Sequence, residues 1–162
     1  MRKISLIVIH CSATRVDRDF TAKDVDTAHR FRGFSCWGYH YYIRKSGQIE
    51  PMRDEDTVGA HARGFNAISL GVCYEGGLDE NGKAADTRTS RQKEAMHRLV
   101  SELLQRYPDA KVVFIGPCVA KRKEAQRDEA VDFIMTFEEM ASVFAGLDIQ
   151  MEQAKPYSMS FT

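Results

Sequence analysis

The chain has 162 residues, 43% hydrophobic and 28% charged, with 23 Lys+Arg balanced by 23 Asp+Glu. That size and mix suit one globular domain with a buried core. The zero formal net charge argues against a nucleic-acid partner, which needs a basic surface to neutralise phosphates. No apolar run reaches the length of a membrane span. Met1-Arg2-Lys3 leads into an apolar run over 4–9 that meets His10 at once, without a small-residue cleavage site. It reads as a first strand and not as a secretion signal, so the expected location as synthesised is the cytoplasm. Cys11, Cys36, Cys73 and Cys118 are scattered and form no C-x-x-C pair, as expected of free thiols in a reducing compartment.

In chain order, the β-branched run over 4–9 predicts a buried strand. Residues 21–32 predict a helix: Thr21 and Asp24 have capping-box spacing, Val25, Ala28 and Phe31 follow at helical spacing, and Gly33 ends it. Residues 39–44 predict an aromatic strand that turns at Lys45-Ser46-Gly47 into a partner near Gln48-Ile49-Glu50. A strand over 68–74 and an exposed loop over 78–88 follow. The strongest helix runs from Ser90 to Tyr107, opened by Thr89 and Gln92, striped by Ala95, Leu99 and Leu103, and stopped by Pro108. Residues 111–115 predict another buried strand. A charged helix over 119–130, a short strand over 131–135, a helix from Thr136 and a frayed tail over 150–162 complete the reading.

Three places carry residues able to do chemistry. His10 ends the first strand, where a sheet fixes the direction of a side chain and the next loop leaves access. A lone histidine there is more often an ordinary hydrogen-bonded residue. Cys11 alternates to the opposite face and reads as packing. Trp37-Gly38-Tyr39-His40-Tyr41-Tyr42 reads mostly as a strand with an aromatic core face, although Tyr39 and His40 follow a glycine that lets the backbone bend. Val58-Gly59-Ala60-His61-Ala62-Arg63-Gly64-Phe65-Asn66 is either a surface turn or the wall of a groove for a polar ligand.

Taken in order, Ile7–Thr14, Trp37–Ile43, Gly59–Asn66 and Ser69–Gly77 resemble the N-acetylmuramoyl-L-alanine amidases related to phage lysozyme-type amidase and to the peptidoglycan recognition proteins. The resemblance covers residues 1–113. It implies an α/β (α+β) fold, with a mixed central β-sheet flanked by helices and one zinc in a groove. By that likeness His10 matches a zinc ligand and Tyr39 a catalytic tyrosine beside the metal. His40, His61 and Asn66 fall where the muropeptide of peptidoglycan is held. Zinc there would bring its bound water to a pKa near 7 and polarise the scissile amide carbonyl. The partner implied is cell-wall peptidoglycan, reached on release from the cell, and a monomer is expected.

The likeness breaks after the strand over 111–115. The family places its second ligand, a histidine, just there, with a Cys or Asp ligand several residues later. This chain has no histidine after His97 and reads Phe114-Ile115-Gly116-Pro117-Cys118-Val119-Ala120-Lys121. Cys118 and Lys121 are the residues chemically able to stand in, at a spacing that does not match; Cys118 is the candidate second metal ligand. The stretches 113–125 and 131–140 instead resemble the large subunit of iron-only hydrogenases, in which Cys118 would match a cluster-binding cysteine. The expected organisation is an amidase-like domain over 1–113, a hydrogenase-like segment over 114–149 joined near 107–114, and a disordered tail over 150–162. Three functions compete: a zinc amidase with impaired activity, a peptidoglycan-binding module without catalysis, and a redox fragment built on Cys118.

Overall fold

The computed structural model describes residues 1–33, 37–115 and 132–135. The fully buried hexapeptide Leu6–Cys11 forms β1, the centre of a six-stranded mixed sheet. The strands β5 (Ser69–Tyr74) and β7 (Lys111–Ile115) flank it in parallel. Beyond β5 lies β3 (Tyr41–Ile43), also parallel, and its antiparallel hairpin partner β4 (Ile49–Pro51) closes that edge. On the other edge β8 (Phe133–Met135) pairs in parallel with β7, so the order is β4-β3-β5-β1-β7-β8. A separate two-stranded sheet joins β2 (Thr14–Arg15) to β6 (Gly77–Leu78). The central strands are continuous apolar runs because a parallel sheet is covered on both faces.

The mixed sheet and its flanking helices agree with the expected class. Strand alternation divides β1 between two cores. Ile7, Ile9 and Cys11 join Leu70, Val72, Tyr74, Val112 and Phe114 under helix α2 (Ser90–Arg106). The helix contributes Ala95, Met96, Leu99, Val100 and Leu103 to that core. Leu6 and Val8 face the other way, with Val113, Ile115, Ala62 and Phe65. His10 continues the Leu6–Val8 parity, so it emerges at the carboxyl end of β1 on the face away from α2. Cys11 lies opposite it in the α2 core, as alternation requires.

Both capping boxes form. Gln92 N–H donates to Thr89 Oγ1 at 3.0 Å, and Thr89 N–H donates to Gln92 Oε1 at 2.9 Å. Gln92 is fully buried, and its Nε2 also donates to the carbonyls of Glu75 and Ile43. One side chain thereby starts α2 and ties it to the ends of β5 and β3. In helix α1 (Ala22–Phe31), Thr21 and Asp24 form the same box. Its buried face differs from the expected stripe. Val25 and His29 point inward, whereas Phe31 is 93% exposed. Val25 packs with Tyr39, Tyr42 and Cys73, and His29, four residues on, lies against the Tyr39 ring; Phe31, six residues after Val25, is carried about 120° round the helix from that face.

The strand expected over 4–9 is set two residues later, at Leu6–Cys11, although Ser5 already bonds to both neighbours, its N–H donating to Ile68 O at 2.8 Å and its O accepting Lys111 N–H at 2.9 Å. The strand expected over 39–44 is shorter, at Tyr41–Ile43: His40 still donates to Gly71 O, but the chain bends at Gly38. A Cβ at Gly38 would lie 2.0 Å from Ala60 O, so only glycine permits this crossing. The helices expected over 119–130 and from 136, the tail, Cys36, Cys118 and Lys121 lie outside the described residues.

Candidate active site

The parallel pairing of β1 with β5 sets His10 beside Cys73 in register. This is the carboxyl edge of a parallel sheet, where side chains at strand ends converge on a common mouth. From the loop between β4 and β5, His61 comes in over the same edge. His10 Nε2 and His61 Nδ1 are 3.0 Å apart, and the two rings meet edge to face with centroids 5.1 Å apart. Both residues are buried. One of the two facing nitrogens carries the shared proton and the other accepts it.

Burial depresses the His10 pKa to about 3, and the positive charge His29 could carry adds to that. Burial also holds His61 well below the usual imidazole range, reinforced by His10, His40, Arg2 and Arg53. Both imidazoles are therefore neutral at pH 7, the form that offers a nitrogen lone pair. Behind the pair, His61 Nε2 lies 3.2 Å from the buried Ser69 hydroxyl.

The Tyr39 ring completes the cluster, 5.3 Å from the His10 ring, 6.4 Å from His61 and 5.1 Å from His29. Burial drives its phenol pKa well above 10, and Cys73 and Cys11 push it the same way. The phenol keeps its proton and can act as a hydrogen-bond donor. Its backbone is fixed from α1: Gly38 N–H donates to His29 Nδ1 at 2.8 Å. That bond puts the His29 ring proton on Nε2 when the ring is neutral. Burial, then Arg32 and Arg53, lower the His29 pKa to about 4, so the neutral ring prevails at pH 7.

The other expected groove residues are placed differently. His40 is fully buried and turned into the protein. Its Nδ1 accepts from Gly71 N–H at 3.0 Å, and its Nε2 lies 2.9 Å from Thr57 O. Its ring meets His61 edge to face at 5.9 Å. Asn66 uses its Oδ1 to accept the N–H groups of His61 and Ala62, both at 2.9 Å. It therefore shapes the loop that presents His61. The structure thus brings together His10, Tyr39 and His61, with His40 behind them and Asn66 beneath the loop. Cys118 lies outside the described residues.

Sequence reasoning missed His29, Ser69 and Gly71. His29 was within reach, being four residues after Val25 and hence on the same helix face. Gly71 carried a signal too, since a glycine inside a strand marks a close approach. A Cβ there would sit 2.5 Å from His61 Cγ, so the His61 ring rests directly on the β5 backbone. Ser69 gave no signal of its own.

As to metal, the donors that converge are the two neutral imidazoles of His10 and His61. Among the described residues no group of three or more His, Cys, Asp or Glu is arranged to hold an ion. Those residues alone do not fit a zinc centre, which takes three protein ligands in catalytic sites.

The carboxyl edge of the parallel sheet thus carries two buried neutral histidines and a protonated tyrosine. The profile of the N-acetylmuramoyl-L-alanine amidase family matches residues 1–128, and the chain belongs to that family of amide hydrolases. It is 36% identical over 112 residues to the endolysin of Enterobacteria phage K11, covering 69% of this chain and 74% of the relative. It is 38% identical over 104 residues to the endolysin of Escherichia phage T7, covering 64% and 69%. Among solved structures, the endolysin amidase LysCS from Clostridium intestinale aligns with a TM-score of 0.60 at 30% identity, over 89% of this chain and 85% of that one. Bumblebee PGRP-SA aligns with a TM-score of 0.66 over 84% and 87%; at 20% identity it shares the fold. Among the described residues no helix is long and apolar enough to cross a membrane.

Proposed function

We propose that this chain is a peptidoglycan amidase of the phage-endolysin kind, directed at the amide between N-acetylmuramic acid and L-alanine, and that its zinc-dependent hydrolysis is impaired. The observation that carries the reading is the packing of His10, His61 and Tyr39 at the carboxyl edge of β1. In it, His10 is the metal ligand and Tyr39 the catalytic donor to the carbonyl oxygen that gains charge during amide cleavage. His61, His40 and Asn66 form and back the wall that receives the muropeptide. The impairment follows from the donor set: His10 lacks the histidine that the family sets after β7, and Cys118 is its one thiol substitute. A monomer that acts on the wall once released from the cytoplasm is part of the same reading.

The domain organisation is a proposal of the same standing. Matches of 101 to 112 residues to phage endolysins support an amidase-like part of about that length. The family profile runs further, to residue 128. We place the hydrogenase-like segment at 114–149 and the tail at 150–162. Resequencing the gene across codons 107–114 tests the join.

A second reading, a peptidoglycan-binding module without catalysis, is favoured by the same two-imidazole donor set beside an intact loop. Two measurements separate the readings: release of stem peptide from purified peptidoglycan with and without added zinc, and metal content of the purified protein. We expect slow hydrolysis that rises with added zinc, and weak zinc retention. One tightly held zinc per chain would refute the impairment. Retained muropeptide binding without hydrolysis would favour the second reading, and iron with labile sulfide would favour a redox role for Cys118.

A further inference from the structure

Arg2 lies four residues before β1, outside every motif that pointed to the site. Its guanidinium has five N–H donors in a planar fork, and all five have a main-chain carbonyl to meet. Nε donates to Glu55 O at 2.9 Å, and Nη2 to Glu55 O at 2.7 Å and Ser69 O at 3.3 Å. Nη1 donates to Asn66 O and Ala67 O, both at 3.1 Å. Nη2 also lies 3.2 Å from His40 Nε2. These acceptors stand at the two ends of the loop that carries His61.

Both ends are firm anchors. The Glu55 carboxylate accepts the Tyr107 hydroxyl at 2.7 Å and that of Tyr41, and pairs with Arg106, so the near end is fixed to α2 and β3. Ser69 begins β5. Between them, Asn66 is gripped twice: its carbonyl by Arg2, while its Oδ1 holds the backbone N–H groups of His61 and Ala62. A continuous set of hydrogen bonds therefore runs from Arg2 through Asn66 to His61 and on to His10.

We propose that Arg2 is a positioning residue of the site, its guanidinium acting as the staple that holds the 55–69 loop so that His61 stays against His10. A lysine could not replace it: an ammonium has three donors around one point and cannot reach carbonyls spread along a plane. Removing the group strands partly buried carbonyls that only a planar cation satisfies together. The placement of His61 stands on geometry alone; the kinetic consequence rests on the amidase reading.

Amide exchange tests the placement. In Arg2→Met, the His61 and Ala62 amides should exchange about tenfold faster or more, while Ile9 and Val72 in the sheet centre change by less than about threefold. Arg2→Lys should recover less than half of that protection. In Arg2→Ala, methylguanidinium at millimolar concentration should restore it, and sodium chloride at equal ionic strength should not. A cleft of about 510 Å³ is lined by two of Arg2's neighbours, His40 and Glu55. Unchanged protection at His61 and Ala62, an equal loss across the sheet, or rescue by sodium chloride would each overturn the proposal. If Arg2→Met does not fold, Arg2→Lys decides on the same amides, and wild-type protection there counts against it. Where the wild type hydrolyses peptidoglycan, Arg2→Lys should lower kcat about tenfold with KM within about threefold; an unchanged kcat refutes the positioning role. A wild type with no hydrolysis would refute the amidase reading, and the exchange arms would still decide where Arg2 holds His61.

Discussion

The two faces of β1 are made from alternate residues of one hexapeptide, yet they obey different rules. On the α2 side, Ile7, Ile9 and Cys11 meet a helix stripe of Ala95, Met96, Leu99, Val100 and Leu103, and the contact is apolar throughout. On the other side, the parity of Leu6 and Val8 ends in His10, and the partners become His61, Tyr39 and His29. The apolar face needs volume and shape, and tolerates swaps that conserve both. The polar face needs each nitrogen matched to a partner, because an unmatched buried polar group is expensive. One face sustains the fold, and the other gives up some of that stability to a buried cluster of polar rings.

The largest way to sharpen this contrast is Phe114→Ala on the apolar face. It should cost about 3–5 kcal/mol in urea unfolding through lost burial and a cavity. If the variant still folds, the imidazole signals of His10 and His61 should keep their wild-type positions. Shifted signals would mean that the two faces are not separable.

Gly71→Ala works on the opposite face. The added methyl collides with the His61 ring, which has to leave its place against β5. The expected cost is about 1–3 kcal/mol, with a loss of hydrolysis well beyond what that stability change explains. A variant as active as the parent would remove His61 from the working site.

The pH response comes next. His10 and His29 have folded pKa values of about 3 and about 4, both depressed by burial. The unfolded chain therefore binds more protons as pH falls below about 6.5, while the folded cluster stays neutral. Stability is complete above that value and declines toward pH 4, by on the order of 5 kcal/mol for the two histidines together. His29→Asn, which keeps an acceptor for Gly38 N–H, should flatten this slope. A flat profile in the parent protein would contradict the buried neutral cluster. Glu75 adds loss of the same sign at lower pH. Burial alone would raise its pKa, but Arg44 and the N–H groups of Lys45 and Phe20 outweigh that and leave it lowered.

The smallest expected effect is Thr89→Ala, which removes one capping bond of α2 and the hydroxyl's bond to Lys45 O, at a cost of about 1–2 kcal/mol. It belongs to the apolar face and should leave hydrolysis unchanged. A selective loss of activity would show α2 coupled to the site.

Local rules were enough wherever the cause lies within a few residues. Both capping boxes and the β3–β4 hairpin were legible because their partners lie three to ten positions apart, and the Pro108 stop because it acts on its own backbone. Alternation alone sent His10 and Cys11 to opposite faces, and the ordered motifs around His10, Tyr39 and His61 pointed to the amidase family. Tertiary structure decided the rest. The helical stripe read from the sequence includes Phe31, but the packing of α1 on Tyr39, Tyr42 and Cys73 sets Val25 and His29 inward instead. His10 and His61 are 51 residues apart and meet only through the parallel pairing of β1 with β5. Asn66, expected at the groove, also accepts the His61 and Ala62 N–H groups, while Arg2, expected only as part of a basic beginning, meets the carbonyls of that loop. The physical reason is common to all four: a sequence states which groups can bond, and only the closed chain determines which partners remain within 3 Å once water is gone.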